Sequence, residues 1–95
     1  HAFTGHDQAS FKRVVIIEYP RQGIYSIGFM TKDIPHEISQ NNLYGVYVPH
    51  TPNPASGNFV MVPKEAIYET DLTRHEATAM IISGGIVQPT RYGQK

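Results

Sequence analysis

The sequence predicts an α+β domain that is mainly β, built as a small curved antiparallel sheet or partial barrel of five to six strands with one C-terminal helix at about residues 74–83. Two observations favour this class. Short runs of β-branched and aromatic residues, bounded by glycine or proline, recur along the chain. A helix-start signal followed by apolar residues at helical spacing lies near the C-terminal end. The main alternative is an open sheet with the helix packed across one face.

The first two strands are predicted to form an antiparallel hairpin. Residues 14–17 are a run of valine and isoleucine, which is typical of a strand buried on both faces. Residues 24–30 alternate between larger and smaller side chains. One face of this second strand then carries Tyr25, Ile27 and Phe29. The segment between the strands, residues 20–23, has proline early and glycine late, as a reverse turn requires.

Further strands are predicted at residues 43–48, 59–62 and 66–68, with residues 86–87 as a last edge strand. Gly28, in the middle of the second strand, indicates a bulge or the close approach of another backbone. Residues 31–42 contain a proline and an asparagine pair and are predicted to form a surface loop.

The helix is predicted from its two ends. Thr73 and Glu76 have the spacing of a capping box, in which each side chain accepts a hydrogen bond from the other residue's backbone. One helical face then carries Ala77, Met80 and Ile81. Gly84 and Gly85 are expected to end the helix, because glycine adopts the left-handed conformation that follows the last turn.

Length and composition bound the class of protein. The 95 residues suit a single domain at residues 11–89, with residues 1–10 as a flexible tether or tag remnant and residues 90–95 as a polar tail. Eight basic residues balance eight acidic ones, which disfavours a nucleic-acid partner. The absence of cysteine excludes disulfides and thiolate chemistry.

Two features bear on a longer parent protein. The chain begins with His1 instead of methionine, which indicates an excised fragment. Its apolar runs are too short to cross a bilayer, and no signal peptide is recognised. The lack of a membrane span applies to this fragment and does not extend to the parent protein.

Patterns for catalysis and metal binding are weak. Five histidines occur, but no two share the helix or strand spacing that lets them converge on zinc, so no metal site is predicted. Ser56 is not in a nucleophile elbow. Ser83, Gly84 and Gly85 follow a helix instead of opening one, and so resemble a phosphate cradle only superficially. We therefore expect a protein that is not an enzyme and has no cofactor. The alternative is a small-ligand or metal-ion module whose pocket is lined by this turn and the histidines.

The candidate functional segment is the loop between the third and fourth strands. Its residues are Pro49, His50, Thr51, Pro52, Asn53, Pro54, Ser56 and Gly57. Because proline fixes φ and favours extended geometry in the preceding residue, residues 50–54 are predicted to be a stiff, strand-like ribbon, with the turn at residues 56–58. A pre-ordered loop loses little entropy on binding, which favours recognition. The competing interpretation is a rigid connection between two strands.

Several blocks of sequence resemble one family. They are residues 11–21, 23–24, 28–29, 48–49, 51–54, 56–57, 62–63 and 81–85. In this respect the chain resembles domain-of-unknown-function family 502, whose plant members are called continuous-vascular-ring or COV-like proteins. It departs from the family pattern at Tyr25, where tryptophan is frequent, and at His50, where threonine or a similar residue is usual.

The resemblance implies a parent with membrane-spanning helices upstream of this domain, to which residues 1–10 would be the tether. It implies a role in development through membrane trafficking or organisation, and it transfers no catalytic residue. We expect a water-soluble, non-enzymatic assembly domain that contacts identical subunits or a protein partner through residues 49–57 and nearby sheet edges. A gating domain for a membrane pore is not separable from this interpretation by sequence.

Overall fold

The structure, a computed structural model, describes residues 13–33 and 42–90. Its elements in chain order are β1 (Val14–Glu18), β2 (Tyr25–Asp33), β3 (Leu43–Pro49), β4 (Gly57–Pro63), a single 3-10 turn (Lys64–Ala66), β5 (Ile67–Glu69) and α1 (Arg74–Ile82). The predicted fold class, α+β and mainly β, is confirmed. The loop predicted at residues 31–42 begins later than expected because β2 continues through Asp33, and residues 34–41 lie outside the described residues.

The five strands form one antiparallel sheet in the order β4-β3-β2-β1-β5. The predicted hairpin of β1 and β2 is confirmed, with Val14 opposite Phe29 and Glu18 opposite Tyr25. The predicted sixth strand at residues 86–87 is wrong. The Val87 N–H donates to the Ser83 hydroxyl (2.9 Å), so this segment is held against the helix end and not in a ladder.

The sheet must curve, because its two edge strands are joined by a very short connection. β4 and β5 lie at opposite edges, and only the turn Lys64–Ala66 links them. The four steps from Pro63 to Ile67 span at most about 14 Å. The outer strands of a flat five-stranded sheet would be about 19 Å apart. The sheet therefore curls towards a barrel, and it stays open because β4 and β5 do not pair within the described residues.

Both faces of β1 are buried, as its β-branched run predicts. On the inner face of the curve, Val15 and Ile17 are fully buried. They belong to a cluster, which we call the inner core, of Val15, Ile17, Met30, Val46 and Val48. On the other face the sheet packs against α1 through Val14, Phe29, Leu72, Ala77, Met80 and Ile81. The helix therefore covers the outside of the curved sheet.

Gly28 shows why β2 and β3 approach closely. A Cβ added to Gly28 would overlap the Cγ1 atom of Val46, which is fully buried in the inner core. The predicted close approach is real, but the nearest neighbour is a side chain instead of a backbone. The irregularity in the β2–β3 register lies farther along, between Met30 and Asp33.

The capping box at the start of α1 is confirmed. The Thr73 Oγ1 atom accepts the Glu76 N–H (3.0 Å), and the Glu76 carboxylate accepts the Thr73 N–H (3.0 Å). Both donors would otherwise be unpaired at the first helical turn. The helix spans Arg74–Ile82, within one residue of the predicted bounds.

We expect Thr73→Ala to lower the free energy of unfolding by about 1 kcal/mol, because the Glu76 N–H loses its acceptor. Chemical denaturation measures this change. Thr90→Ala is the control, since Thr90 is exposed outside the helix, and its effect should stay within about 0.5 kcal/mol. Equal effects of the two substitutions would contradict a stabilising role for the cap.

Candidate functional site: the proline loop, the adjacent cleft and the free strand edge

The proline loop (residues 49–57) closes the hairpin of β3 and β4, and Pro49 lies opposite Gly57 in the ladder. The His50 N–H donates to the Ser56 carbonyl (2.8 Å), and the Ser56 N–H donates to the Asn53 carbonyl (3.3 Å). The second bond closes a four-residue turn. The predicted strand-like ribbon is therefore wrong, because the chain reverses within the segment that was expected to run straight.

Three side-chain contacts within the hairpin stabilise the loop, and we call it braced for this reason. The Tyr47 hydroxyl donates to the Pro54 carbonyl (2.8 Å), and the Asn53 Oδ1 atom accepts the Ala55 N–H (3.1 Å). The His50 Nδ1 atom lies 3.1 Å from the Ser56 hydroxyl. These bonds hold a single loop shape while leaving most of its side chains at the surface.

Gly57 has a different role from the one predicted. It does not form the turn but begins β4. A Cβ at this position would overlap the Val48 carbonyl oxygen and lie 2.8 Å from the Pro49 Cα atom. Glycine is therefore required by the close approach of two backbones and not by turn geometry.

A cleft of about 300 Å³ separates the proline loop from the C-terminal end of α1. Thr51 lines one wall and Gly84 the other, and a Cβ on Gly84 would be 3.7 Å from the Thr51 Cγ2 atom. The start of β2 and buried side chains of the helix complete the cleft. The structure thus brings together the two segments that the sequence marked separately.

The Ser83-Gly84-Gly85 turn uses its own polar groups to end the helix. The Gly84 N–H donates to the Ile81 carbonyl (3.1 Å) and the Gly85 N–H to the Met80 carbonyl (2.8 Å). Both glycines have positive φ, 67° and 90°, as the predicted helix end requires. Because these N–H groups are already bonded, the turn gives the cleft a surface of small residues instead of free donors for an anion.

The described residues contain no group of three or more histidine, cysteine, aspartate and glutamate side chains that could hold a metal ion. His50 contacts Ser56 in the loop, and His75 lies in the first turn of α1. His36 lies outside the described residues.

Two tyrosines form an exposed pair beside the cleft. The rings of Tyr25 and Tyr68 are 5.8 Å apart, and the Tyr25 hydroxyl donates to the Glu18 carboxylate (3.2 Å). The same carboxylate accepts the Gly23 N–H (3.2 Å). The negative charge of Glu18, with a smaller contribution from Tyr68, raises the pKa of the Tyr25 phenol above its ordinary value.

We expect Glu18→Gln to lower the pKa of Tyr25, because it removes the neighbouring charge. The ultraviolet absorbance of ionised tyrosine measures this pKa. In the presence of Glu18 and again with Glu18→Gln, the titration curve of the Tyr25→Phe protein is subtracted from that of the protein with Tyr25, which leaves the signal of Tyr25 alone. Since the folded pKa is raised, the unfolded chain loses this proton first, so the contribution of Tyr25 to stability falls as pH rises through the ordinary tyrosine range. An unchanged pKa in Glu18→Gln would contradict the assignment to Glu18.

Sheet edges near the loop were predicted to take part in contacts, but the sequence did not identify the free edge of β4. Phe59 and Met61 are 58% and 47% exposed on this edge strand. Because His50 and Ser56 form a hydrogen-bonded pair, the alternation along the ladder turns the N–H and C=O groups of Phe59 and Met61 away from β3. No charged residue occurs in Gly57–Pro63. An apolar run without charge was the available signal, but the run alone does not show which strand lies at an edge.

These features define a curved β-sheet domain with one packed helix, a braced hairpin loop and an unprotected strand edge. A family model described as "Protein of unknown function (DUF502)" matches residues 1–56, which reach into the proline loop. The chain belongs to this family, as its sequence blocks predicted.

Curated relatives agree with this assignment. The chain is 34% identical to "Protein LIKE COV 2" of Arabidopsis thaliana over 84% of its own length and 31% of the relative. It is 32% identical to "Protein CONTINUOUS VASCULAR RING 1" of the same organism over 84% of its own length and 30% of that protein. The chain therefore spans about a third of the length of the curated relatives it matches. No solved structure matches it significantly.

In the part of the chain that the structure describes, no helix has both the length and the apolar content that crossing a bilayer demands.

Proposed function

We propose that this chain is a water-soluble, non-enzymatic interaction domain of an integral membrane protein, and that it assembles with identical subunits or a protein partner through the proline loop and the adjacent free edge of β4. The observation that carries the proposal is the braced loop, whose shape is fixed by internal hydrogen bonds while its outer residues stay exposed.

The bracing favours recognition for an entropic reason. Ordering a flexible loop on binding costs free energy that reduces affinity. Here the Tyr47–Pro54 and His50–Ser56 bonds restrict the loop before any partner arrives. Thr51, Pro52 and Asn53 are exposed at its tip and add little further entropy cost, since proline has few accessible conformations.

The membrane part of the proposal rests on the family resemblance. The resemblance supports a parent that has membrane-spanning segments outside this chain, and it supports a role in membrane trafficking or organisation. Extraction of the full-length protein from membranes at alkaline pH checks it. Retention in the membrane pellet is expected, and complete release into the supernatant would remove this part of the proposal.

Shortening the loop tests the proposed surface. Replacing residues 51–55 with Asn-Gly leaves His50 and Ser56 as the hydrogen-bonded pair that flanks a two-residue turn, so the ladder should survive. We expect wild type to show concentration-dependent mass by sedimentation, both alone and as full-length protein in detergent. The shortened variant should associate less while its circular dichroism is unchanged. Strict monomers in both forms of wild type would overturn the proposal.

A small-ligand module is the competing proposal, and the cleft beside Thr51 is the observation that favours it. Its weakness is the small number of free polar groups, because Gly84 and Gly85 already bond within the helix end. A thermal-shift screen discriminates the two. A ligand that raises the unfolding midpoint, and loses this effect in Thr51→Val, would favour the ligand module.

A further inference from the structure

We infer that the partner is a second copy of this chain, paired antiparallel along β4 about a two-fold axis at Val60. The inference rests on the proposed function, since it names the partner and the register of the assembly that the proposal describes. In this arrangement the two sheets join edge to edge, and Phe59 of one copy lies opposite Met61 of the other.

Unpaired backbone groups supply the first argument. The outward N–H and C=O groups of Phe59 and Met61 have no strand beyond them among the described residues. Exposed strands of this kind are templates for another strand, and natural proteins usually protect them with charges. β4 carries no charge, so a second copy would meet no repulsion along it.

The register follows from the strand's own sequence. Residues with outward backbone groups must face each other, and centring the pairing on Val60 places every residue of Gly57–Pro63 opposite a residue of the other copy. Each Phe59 then pairs with a Met61, an aromatic–thioether contact that is favourable. Pro63, which has no N–H, falls at the end of the pairing, where the loss of one donor matters least.

The same register engages the proline loop. Continuing past Gly57, the loop of one copy lies alongside the Lys64–Ala66 turn of the other. The second copy therefore uses both the free edge and the loop, whereas an unrelated extended peptide would need only the edge.

The size of the surface sets the expected affinity. Phe59 and Met61 are 58% and 47% exposed, and one strand pair with these side chains belongs to the interfaces below about 1,200 Å². Such contacts are weak and transient, so the dimer fraction should rise with concentration. A covalent trap is the suitable readout.

The chain has no cysteine, so a single introduced cysteine is unique. In the proposed register Val60 faces Val60 of the second copy at about 4.5 Å between Cα atoms, which is within disulfide range. Val60→Cys should therefore form a disulfide dimer under mild oxidation. Val62→Cys is the matched control, because it is the same substitution on the same half-buried face, about 13 Å from its copy. It should form no disulfide-linked dimer.

Introducing opposite charges at the two positions tests the Phe59–Met61 pairing. In the Val60→Cys background, Phe59→Lys or Met61→Glu alone should lower the yield of cross-linked dimer on the order of tenfold. Mixing the two variants should restore it, because Lys then faces Glu across one half and Phe59 faces Met61 across the other. Tags of different mass identify the mixed dimer.

Each remaining outcome is decisive. Three outcomes would overturn the self-pairing: a disulfide dimer of Val62→Cys, a disulfide dimer of Phe59→Cys without one of Val60→Cys, or failure of the mixture to restore the cross-linked yield. Association that persists in Met61→Glu but disappears in the shortened loop would overturn it while leaving the proposed function standing. Strict monomers throughout would overturn both.

Discussion

Replacing Ile17 with alanine will lower the free energy of unfolding by about 2–5 kcal/mol. Ile17 is fully buried on the inner face of the sheet, where it packs in one cluster with Val15 and Val46. The loss combines the transfer free energy of the removed carbon atoms with the cavity they leave, because the strands on either side restrain collapse. The total free energy of unfolding of a small domain is about 5–15 kcal/mol, so this single substitution would remove a large part of the stability.

Urea denaturation of the variant against wild type measures this effect. Ile86→Ala is the matched control, since Ile86 is 88% exposed and the same atoms are removed. Its effect should be within about 0.5 kcal/mol. If the two variants lose similar stability, the inner core does not have the packing described above.

Gly57→Ala will lower the free energy of unfolding by about 1–3 kcal/mol, which is the usual range when an extra group is forced into a packed region. The added Cβ meets the backbone of Val48 and Pro49, and neither atom can move aside as a flexible side chain would. The ladder must therefore open where the proline loop begins. We expect a midpoint lower by several degrees, because about 1 kcal/mol shifts a domain of this size by about 4–8 °C.

Asn58→Ala is the control for this substitution. Asn58 is the next residue of β4, it is exposed, and the change adds no clash. Thermal unfolding should separate the two variants clearly. Equal midpoints would mean that the two strands tolerate a wider spacing at Gly57, and that glycine is not required there.

Local patterns predicted most of the elements. The helix follows from Thr73 and Glu76 at its start and from Gly84 at its end, because caps satisfy backbone groups that lie within a few residues. The strand β1 follows from four consecutive β-branched residues, which suit an extended chain buried on both faces. These choices depend on near neighbours in the sequence.

The errors occur where a side-chain hydrogen bond or a neighbouring strand overrides the local pattern. Residues 86–87 have the composition of a strand, yet the Ser83 hydroxyl holds them at the helix end. The loop turns where extended geometry was predicted, because Tyr47 of β3 donates to the Pro54 carbonyl and Ser56 bonds to His50 and Asn53 within the loop. Gly57 was assigned to a turn because a sequence does not show which backbone approaches it.

The candidate site shows the same division. Its loop residues and the Ser83-Gly84-Gly85 turn were both recognised in the sequence, but their meeting at one cleft was not. The exposure of Phe59 and Met61 depends on β4 lying at the sheet edge, which is a property of strand order.

Blocks of sequence were sufficient to predict the family. Propensity, capping and alternation, which act over a few residues, were sufficient for the α+β class, the hairpin of β1 and β2, and both ends of α1. The folded chain was needed to see the curvature of the sheet, the closed shape of the proline loop and the free edge at β4. Strand order and the packing of neighbouring strands determine the curvature and the free edge, and hydrogen bonds across the hairpin determine the loop. Propensity and alternation in a short run of residues do not specify such contacts.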